Sequence, residues 1–274
     1  MIDERRSVVI VGVGAMGGAL LVGLLDAGWA SDDITLVEAY EPRAAELRAS
    51  TTCTTVADPG EGIDGQDVVV LAVKPQGIHS TLEQLRNVVT ADQVVVALVA
   101  GVPIRVYEQA LPGIPIVRTM PNTPALVGEG VTGMAAGTHT SPDQMRLARS
   151  VLGAVGGVEE VAESLIDAVT AVSGSGPAYA FLLAEAMAAG GVRQGLDPDV
   201  ALRLAAQTIK GAGAMMVASD EDPSVLRARV TSPGGTTAAA LQVMEAREFR
   251  DIINEAVAAA ADRSRELGAE AAAP

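Results

Sequence analysis

The residues of this chain best placed to do chemistry lie in Val230-Thr-Ser-Pro-Gly-Gly-Thr-Thr237. Ser232, Thr236 and Thr237 surround a Pro-Gly-Gly turn, and an alanine-rich helical pattern follows at once. Proline and glycine permit a tight turn and a close backbone approach to whatever it faces. Hydroxyls and free N–H groups at a helix N-terminus bind anions such as carboxylates. Far upstream, Gly12-Val-Gly-Ala-Met-Gly17 stands between a buried-strand pattern and a helix pattern. That context is what a dinucleotide-binding fingerprint requires. A dinucleotide site at one end and a small-carboxylate site at the other together imply a reductase.

Within the fingerprint, Gly12 permits the tight turn and Gly14 lets the backbone approach a pyrophosphate. Gly17 allows close helix–strand packing, and Ala15 and Met16 open the helix. The second strand ends at Glu38, where a carboxylate reads the ribose hydroxyls of NAD and repels a 2′-phosphate. Arg43 lies just beyond and is able to attract that phosphate instead, so both NADH and NADPH stay open as coenzymes. Ala72, Val73, Lys74 and Pro75 end the next long apolar strand, and strand ends of this kind line the ligand crevice. Pro75 holds Lys74 extended, exposing its backbone. Met120-Pro-Asn-Thr-Pro124 ends another strand, and its Asn122 supplies amide hydrogen bonds to a nicotinamide pocket.

These segments need elements to carry them. Val8–Val11, Ile34–Val37, Asp67–Val73, Gln93–Val99, Ile114–Arg118 and Val131–Ala135 read as short apolar strands. Between them Met16–Gly28, Glu41–Ser50 and Ile78–Val88 read as helices. Short strands alternating with helices predict an α/β fold with a parallel, doubly wound sheet over residues 1–163. From 164 to 274 nearly everything reads as helix. Candidates are Pro177–Gly195, a segment from Asp197-Pro198 to Ser219, one starting at Asp222-Pro223, Thr236–Ala246 and Phe249–Leu267. Asp as N-cap with Pro in the first turn marks two of these starts. Ala269–Pro274 reads as a frayed tail. Ser173-Gly-Ser-Gly-Pro177 reads as the turn launching a long helix that faces the site. The helical region is rich in small residues and poor in large ones, so it suits either a compact bundle or helices intertwined between two subunits.

Composition narrows the class further. The 274 residues are 49% hydrophobic, 19% charged and only 2% aromatic, with a net charge of −15. So acidic a chain is a poor nonspecific nucleic-acid binder. Cys53 is the only cysteine, which excludes an intrachain disulfide. Neither a long apolar leader nor a membrane-length apolar run is evident, so a cytoplasmic protein without a membrane partner is expected. His79 and His139 sit near helix starts without a second ligand nearby, so no metal site is expected.

Taken in order, Gly12–Gly17, Val73–Pro75, Ala100-Gly101, Met120–Pro124, Ser173–Tyr179 and Val230–Thr237 make the chain resemble pyrroline-5-carboxylate reductases over nearly its whole length. The resemblance implies a Rossmann domain over 1–163 and a helical dimerisation and substrate domain over 164–274. It implies a homodimer or a pentamer of dimers that reduces the C=N bond of pyrroline-5-carboxylate to proline with NAD(P)H. Ala100 joins the expected cofactor contacts. Ser232, Gly234, Gly235 and Thr236 become the cradle of the substrate carboxylate, Val230 lines the pocket, and Thr237 orients the ring nitrogen. Ala97 stands where many members have serine. Glu38 replaces the usual small or hydroxylated residue, which puts the usual NADPH preference in doubt. A hydroxyacid dehydrogenase using Lys210 as base, and a dinucleotide-binding sensor, are the competing readings.

Overall fold

The computed structural model describes residues 6–271. Contacts divide the chain into two compact units. One runs up to Gly174 and also takes in the residues from Ala260 onward; the other is Ser175–Ala259.

The first unit is built on a sheet. Its elements are β1 (Val8–Val11), α1 (Ala15–Asp26), β2 (Ile34–Val37), α2 (Glu41–Ser50), β3 (Thr54–Val56), α3 (Pro59–Gly62), β4 (Val68–Leu71) and α4 (Ile78–Leu85). They continue with β5 (Val94–Ala97), α5 (Ile104–Ala110), β6 (Ile116–Met120), β7 (Gly130–Ala136), α6 (Pro142–Leu152), β8 (Gly156–Glu160) and α7 (Ile166–Val169). The strands form one sheet in the order β3-β2-β1-β4-β5-β6-β7-β8.

β1, β2, β4 and β5 are buried at every position, as strands covered on both faces must be. Their side chains alternate between two cores. Val8, Ile10, Val68, Val70, Val94 and Val96 face a core with Leu20 and Leu24 of α1 and Ala148 and Val151 of α6. Val9, Val11, Val69, Leu71 and Val95 face another with Leu82 and Leu85 of α4 and Tyr107 of α5. Ser141 opens α6 with a reciprocal cap: its Oγ accepts from Gln144 N–H and its own N–H donates to Gln144 Oε1.

The sheet departs from the expected all-parallel arrangement at one place. β7 pairs antiparallel with β6, and the other pairs are parallel. The connection over 121–129 holds only a tight 3₁₀ turn, Thr123–Val127, closed by Gly128 at φ 73°. A parallel return needs a crossover of about a dozen residues or more, and this segment is too short for one.

Residues 164–174 belong with the sheet rather than with the helices that follow, so the compact units part later than the change of sequence pattern near 163. Ile166 is buried against Ile104 and Ala135. Gly133 of β7 lies so close to Val169 that a Cβ there would meet its side chain at 2.6 Å. The end of the chain is bound to the same unit, because Ser264 Oγ donates to Asp167 Oδ1 at 2.6 Å and Ala271 packs on the second core. Helix therefore persists through Ala269–Ala271 of the expected frayed tail, while 272–274 lie outside the described residues.

The second unit consists of α8 (Gly176–Arg193), α9 (Pro198–Val217), α10 (Pro223–Arg229), α11 (Thr236–Ala246) and the first half of α12 (Phe249–Ala271). Asp197 caps α9 through Asp199 and Val200 N–H, and Asp222 caps α10 through Ser224 N–H. No helix among the described residues is long and apolar enough to cross a membrane.

One ionic contact joins several parts of the sheet unit. Glu163 Oε1 accepts from the Ile104 N–H at the start of α5 at 2.6 Å and from Arg118 of β6 at 3.2 Å. The Arg118 side chain is 8% exposed and that of Glu163 36%. Losing one member of such a pair leaves the other charge desolvated and unmatched. Glu163→Ala is expected to cost about 1–3 kcal/mol, below the range of a fully buried pair because Glu163 is partly solvated. Urea unfolding followed by circular dichroism checks this, and an unchanged midpoint would contradict it.

Candidate active site

Strand register sets one edge of the sheet apart. Val11, Leu71, Ala97 and Arg118 align across β1, β4, β5 and β6, all running the same way. The segments that leave these strands therefore emerge together. They are Gly12–Gly14, Ala72–Pro75, Leu98–Ala100 and, one turn of the strand later, Met120–Asn122. β2 lies beside β1 and β5 beside β4 on the far side, so the chain runs on in opposite directions after β1 and after β4. In an open α/β sheet a ligand crevice forms outside such a point.

The three glycines carry distinct burdens. Gly12 has φ +88°, and a Cβ on it would stand 3.0 Å from Ala72 O. Gly17 has no room at all, since its Cβ would sit 2.2 Å from Gly12 O. Gly14, the N-cap of α1, has nothing within 4 Å of its missing Cβ. Open space at that point, ahead of the free N–H groups of a helix, is what a pyrophosphate needs. Ala15 and Met16 form the first turn of α1.

Gly12, Glu38 and Val73 line a common cleft of about 330 Å³ with Val37, Asp58 and Thr81. Glu38 is held from both sides: Oε2 accepts from Val13 N–H at 3.0 Å and Oε1 from Tyr40 N–H at 2.9 Å. Lys74 is exposed and extended at φ −67°, ψ 147°, and Pro75 starts the turn after it. Ala100 is exposed in the turn after β5.

Asn122, expected to supply amide hydrogen bonds to the nicotinamide pocket, makes two within the chain. It is buried, its Oδ1 accepts from Val131 N–H at 2.9 Å, and its Nδ2 donates to Ser173 O at 3.1 Å. It fastens the loop after β6 to β7 and to the Ser173 turn, so its role in the sheet unit is to position its neighbours. Ser173 itself lies in a π-helical turn, Thr170–Gly174, that precedes α8.

In the helical unit, Ser232-Pro-Gly-Gly235 forms one turn. Gly235 N–H donates to Ser232 O at 3.0 Å, and Gly234 takes φ +72°. Proline second and a positive-φ glycine third are the pattern of a type II turn. Gly235 is the N-cap of α11, and a Cβ on it would meet Ser232 Oγ at 2.5 Å. The first backbone bond into the helix is Ala239 N–H to Gly235 O at 3.2 Å. The N–H groups of Thr236, Thr237 and Ala238 thus lie ahead of the helical ladder. Gly235, expected to offer its N–H to a carboxylate, donates it to Ser232 O inside the turn. Ser232 and Thr236 are exposed, Thr237 is half-buried, and Val230 is 62% exposed at the end of α10.

The sequence reading missed Glu163 and Asp58. Glu163 gave no signal, because its partners are distant in sequence. Asp58 was readable as Asp-Pro, since it caps α3 by accepting from Gly60 N–H at 2.7 Å. The glycines also make a paired prediction. Gly14→Ala should fold with near-normal stability yet bind dinucleotide at least roughly tenfold more weakly, about 1.4 kcal/mol. Gly17→Ala should lose about 1–3 kcal/mol of stability through overpacking. Thermal unfolding beside coenzyme titration separates the two, and equal behaviour would undo the assignment of roles.

Residues 7–101 match the family model for NADP oxidoreductase, coenzyme F420-dependent. Residues 163–267 match that for pyrroline-5-carboxylate reductase dimerisation. A pyrroline-5-carboxylate reductase of Methanosarcina acetivorans is 40% identical over 267 residues, which cover 97% of this chain and 99% of that protein. Among solved structures, a pyrroline-5-carboxylate reductase from Coxiella burnetii gives a TM-score of 0.93 at 36% identity, covering 96% of this chain and 99% of that one. The Plasmodium falciparum pyrroline carboxylate reductase with NADP bound gives 0.83 at 29% identity, over 97% and 99%. With such identity along almost the entire length of both chains, the chain belongs to the pyrroline-5-carboxylate reductase family.

Proposed function

We propose that the chain reduces the C=N bond of 1-pyrroline-5-carboxylate to proline with NADH or NADPH, the last step of proline biosynthesis. The observation that carries this reading is the Ser232–Gly235 turn at the N-terminus of α11, in a chain that also holds an open glycine loop at the N-terminus of α1. One is suited to a small carboxylate and the other to a pyrophosphate. A reduced nicotinamide supplies the hydride, which the imine carbon accepts, while the ring nitrogen gains a proton.

The protein's part is binding and orientation. The N–H groups of Thr236, Thr237 and Ala238, with the Ser232 hydroxyl, hold the substrate carboxylate, and the helix dipole adds to their field. Thr237 places its hydroxyl against the ring nitrogen, and Val230 closes the apolar side of the ring. An imine protonated in solution is already electrophilic, so no strong acid is required of the side chains. Lys210, the base a hydroxyacid dehydrogenase would need, is exposed in the middle of α9.

The helical region acts as the dimerisation domain, and the active unit is a homodimer or a pentamer of such dimers. Support comes from the family match over 163–267 and from the apolar surface of the helices. Phe181, Leu182, Met215 and Val217 are 63%, 66%, 57% and 91% exposed in the single chain. A cytoplasmic setting belongs to the same reading.

The deciding assay is oxidation of NADH and NADPH with pyrroline-5-carboxylate, beside a panel of 2- and 3-hydroxyacids with the oxidised coenzymes. Turnover of hydroxyacids alone would replace this reading. Thr237→Ala is expected to keep its fold and coenzyme affinity while losing at least about tenfold in kcat/KM, the value of one oriented hydrogen bond near 1.4 kcal/mol. Unchanged kinetics at saturating substrate would remove Thr237 from the mechanism. Light scattering at assay concentration is expected to give a dimer or a multiple of it, and a fully active monomer would refute that assembly.

A further inference from the structure

We propose that Glu38 and Asp58 together form an acidic clamp on the adenosine ribose that makes this chain select NADH over NADPH. The proposal rests on the dinucleotide reading above and adds which coenzyme the site takes.

The first observation is that two backbone donors hold Glu38 at the strand end. Its carboxylate bridges the glycine loop and its own strand end, accepting from Val13 N–H and from Tyr40 N–H. Each oxygen is left with a further acceptor position. Those positions are at the end of β2, the place from which a carboxylate receives the ribose 2′-hydroxyl. A hydroxyl donates into such a site, whereas a 2′-phosphate brings only acceptors and like charge.

The second observation concerns Arg43, the residue that would otherwise neutralise a phosphate. Its Nε donates to Val13 O at 3.1 Å, and its Nη1 pairs with Glu46 at 3.0 Å. It holds the underside of the same loop residue whose N–H Glu38 receives. Arg43 is not among the residues lining the cleft.

The third observation is the rest of that lining. Asp58 lines the same cleft two residues after β3, the strand beside β2, and is fixed as the N-cap of α3. The remaining polar side chains in the wall are the neutral Thr81 and Gln84. The cleft therefore presents two carboxylates and no basic group. With a Debye length of about 8 Å at physiological ionic strength, salt weakens but does not abolish their repulsion of a phosphate inside the cleft.

The test is coenzyme binding to the full chain without substrate, by nicotinamide fluorescence, with calorimetric titration of AMP and adenosine 2′,5′-bisphosphate, which differ by the 2′-phosphate alone, as probes of the adenosine end. Wild type is expected to bind NADH at least roughly tenfold more tightly than NADPH. AMP should bind more tightly than the bisphosphate in the same sense. Glu38→Gln should bring the NADH-to-NADPH ratio toward one, mainly by gaining NADPH affinity. Asp58→Asn keeps a side-chain acceptor for Gly60 N–H and should raise NADPH affinity alone. Arg43→Ala should change both coenzymes by the same factor. Tighter binding of NADPH by wild type, a ratio unmoved in both acid variants, or a selective loss of NADPH in Arg43→Ala would each overturn the clamp. Binding of neither coenzyme would remove the dinucleotide reading and the clamp with it, whereas binding of both with NADPH preferred removes the clamp alone.

Discussion

Everything in the sheet unit depends on a place where no side chain fits. At the end of β1, the first turn of α1 lies against the turn that precedes it so closely that a methyl on Gly17 would stand 2.2 Å from Gly12 O. That approach fixes where the helix starts and how it leaves the sheet. It also leaves Gly14 facing open space, with unsatisfied N–H groups behind it. Val13, between these glycines, is held by Glu38 at its N–H and by Arg43 at its carbonyl. The anion-binding loop is thus rigid before any ligand arrives, and preorganised donors lose little entropy on binding.

The order of strands turns this local device into a site. With β2 and β4 on opposite sides of β1, the loops after β1 and β4 are not covered by a connection passing between them. Val73 and Gly12 approach each other there, with a Cβ on Gly12 only 3.0 Å from Val73 Cγ1. Asn122 and Glu163 do comparable work farther along the edge. Both are polar side chains spent on backbone groups, and both tie the strand after β5 to segments remote in sequence.

How far the sequence revealed this follows from burial. β1, β2, α2 and α11 occupy the expected residues, because continuous valine runs and clear start signals mark them. β3 and β8 escaped, and both carry exposed residues: Thr54 begins one, while Gly157 and Glu159-Glu160 sit in the other. Edge positions of a sheet need not be apolar, so their period is weak. The capping box of α6 is legible in Ser141-Pro-Asp-Gln144. The antiparallel turn of β7 was legible only as a connection too short for a crossover. In the site, glycine spacing marked positions where a side chain has no room, at Gly12 and Gly17, and one with open space, at Gly14. The orientation of a carboxylate or an amide, as in Glu38 and Asn122, depends on partners that spacing does not encode.

The helical unit poses the opposite problem from the sheet, and the solution bears on catalysis. Among the described residues of α8 none is buried, and α9 buries only Ala201 and Ala205. Alanine and glycine let helices approach closely, but they bury little area per residue, so the stabilising surface has to come from elsewhere. Apolar exposure on the scale of Phe181, Leu182 and Val217 exceeds what a free-standing bundle ordinarily shows. Burying that surface would rigidify the backbone that supports α11, whose first turn carries the N–H groups and the Thr237 hydroxyl. This matters because those groups contribute no formal charge. In a chain of net charge −15, long-range attraction for an anionic substrate is unfavourable, and screening confines it to roughly 8 Å. Capture of a carboxylate then relies on partial charges within hydrogen-bonding reach, which act only if the donors are held in place. Packing between helices and affinity for a small anion are thereby linked, because apolar faces on α8 and α9, once covered, would hold the donors of α11 in place.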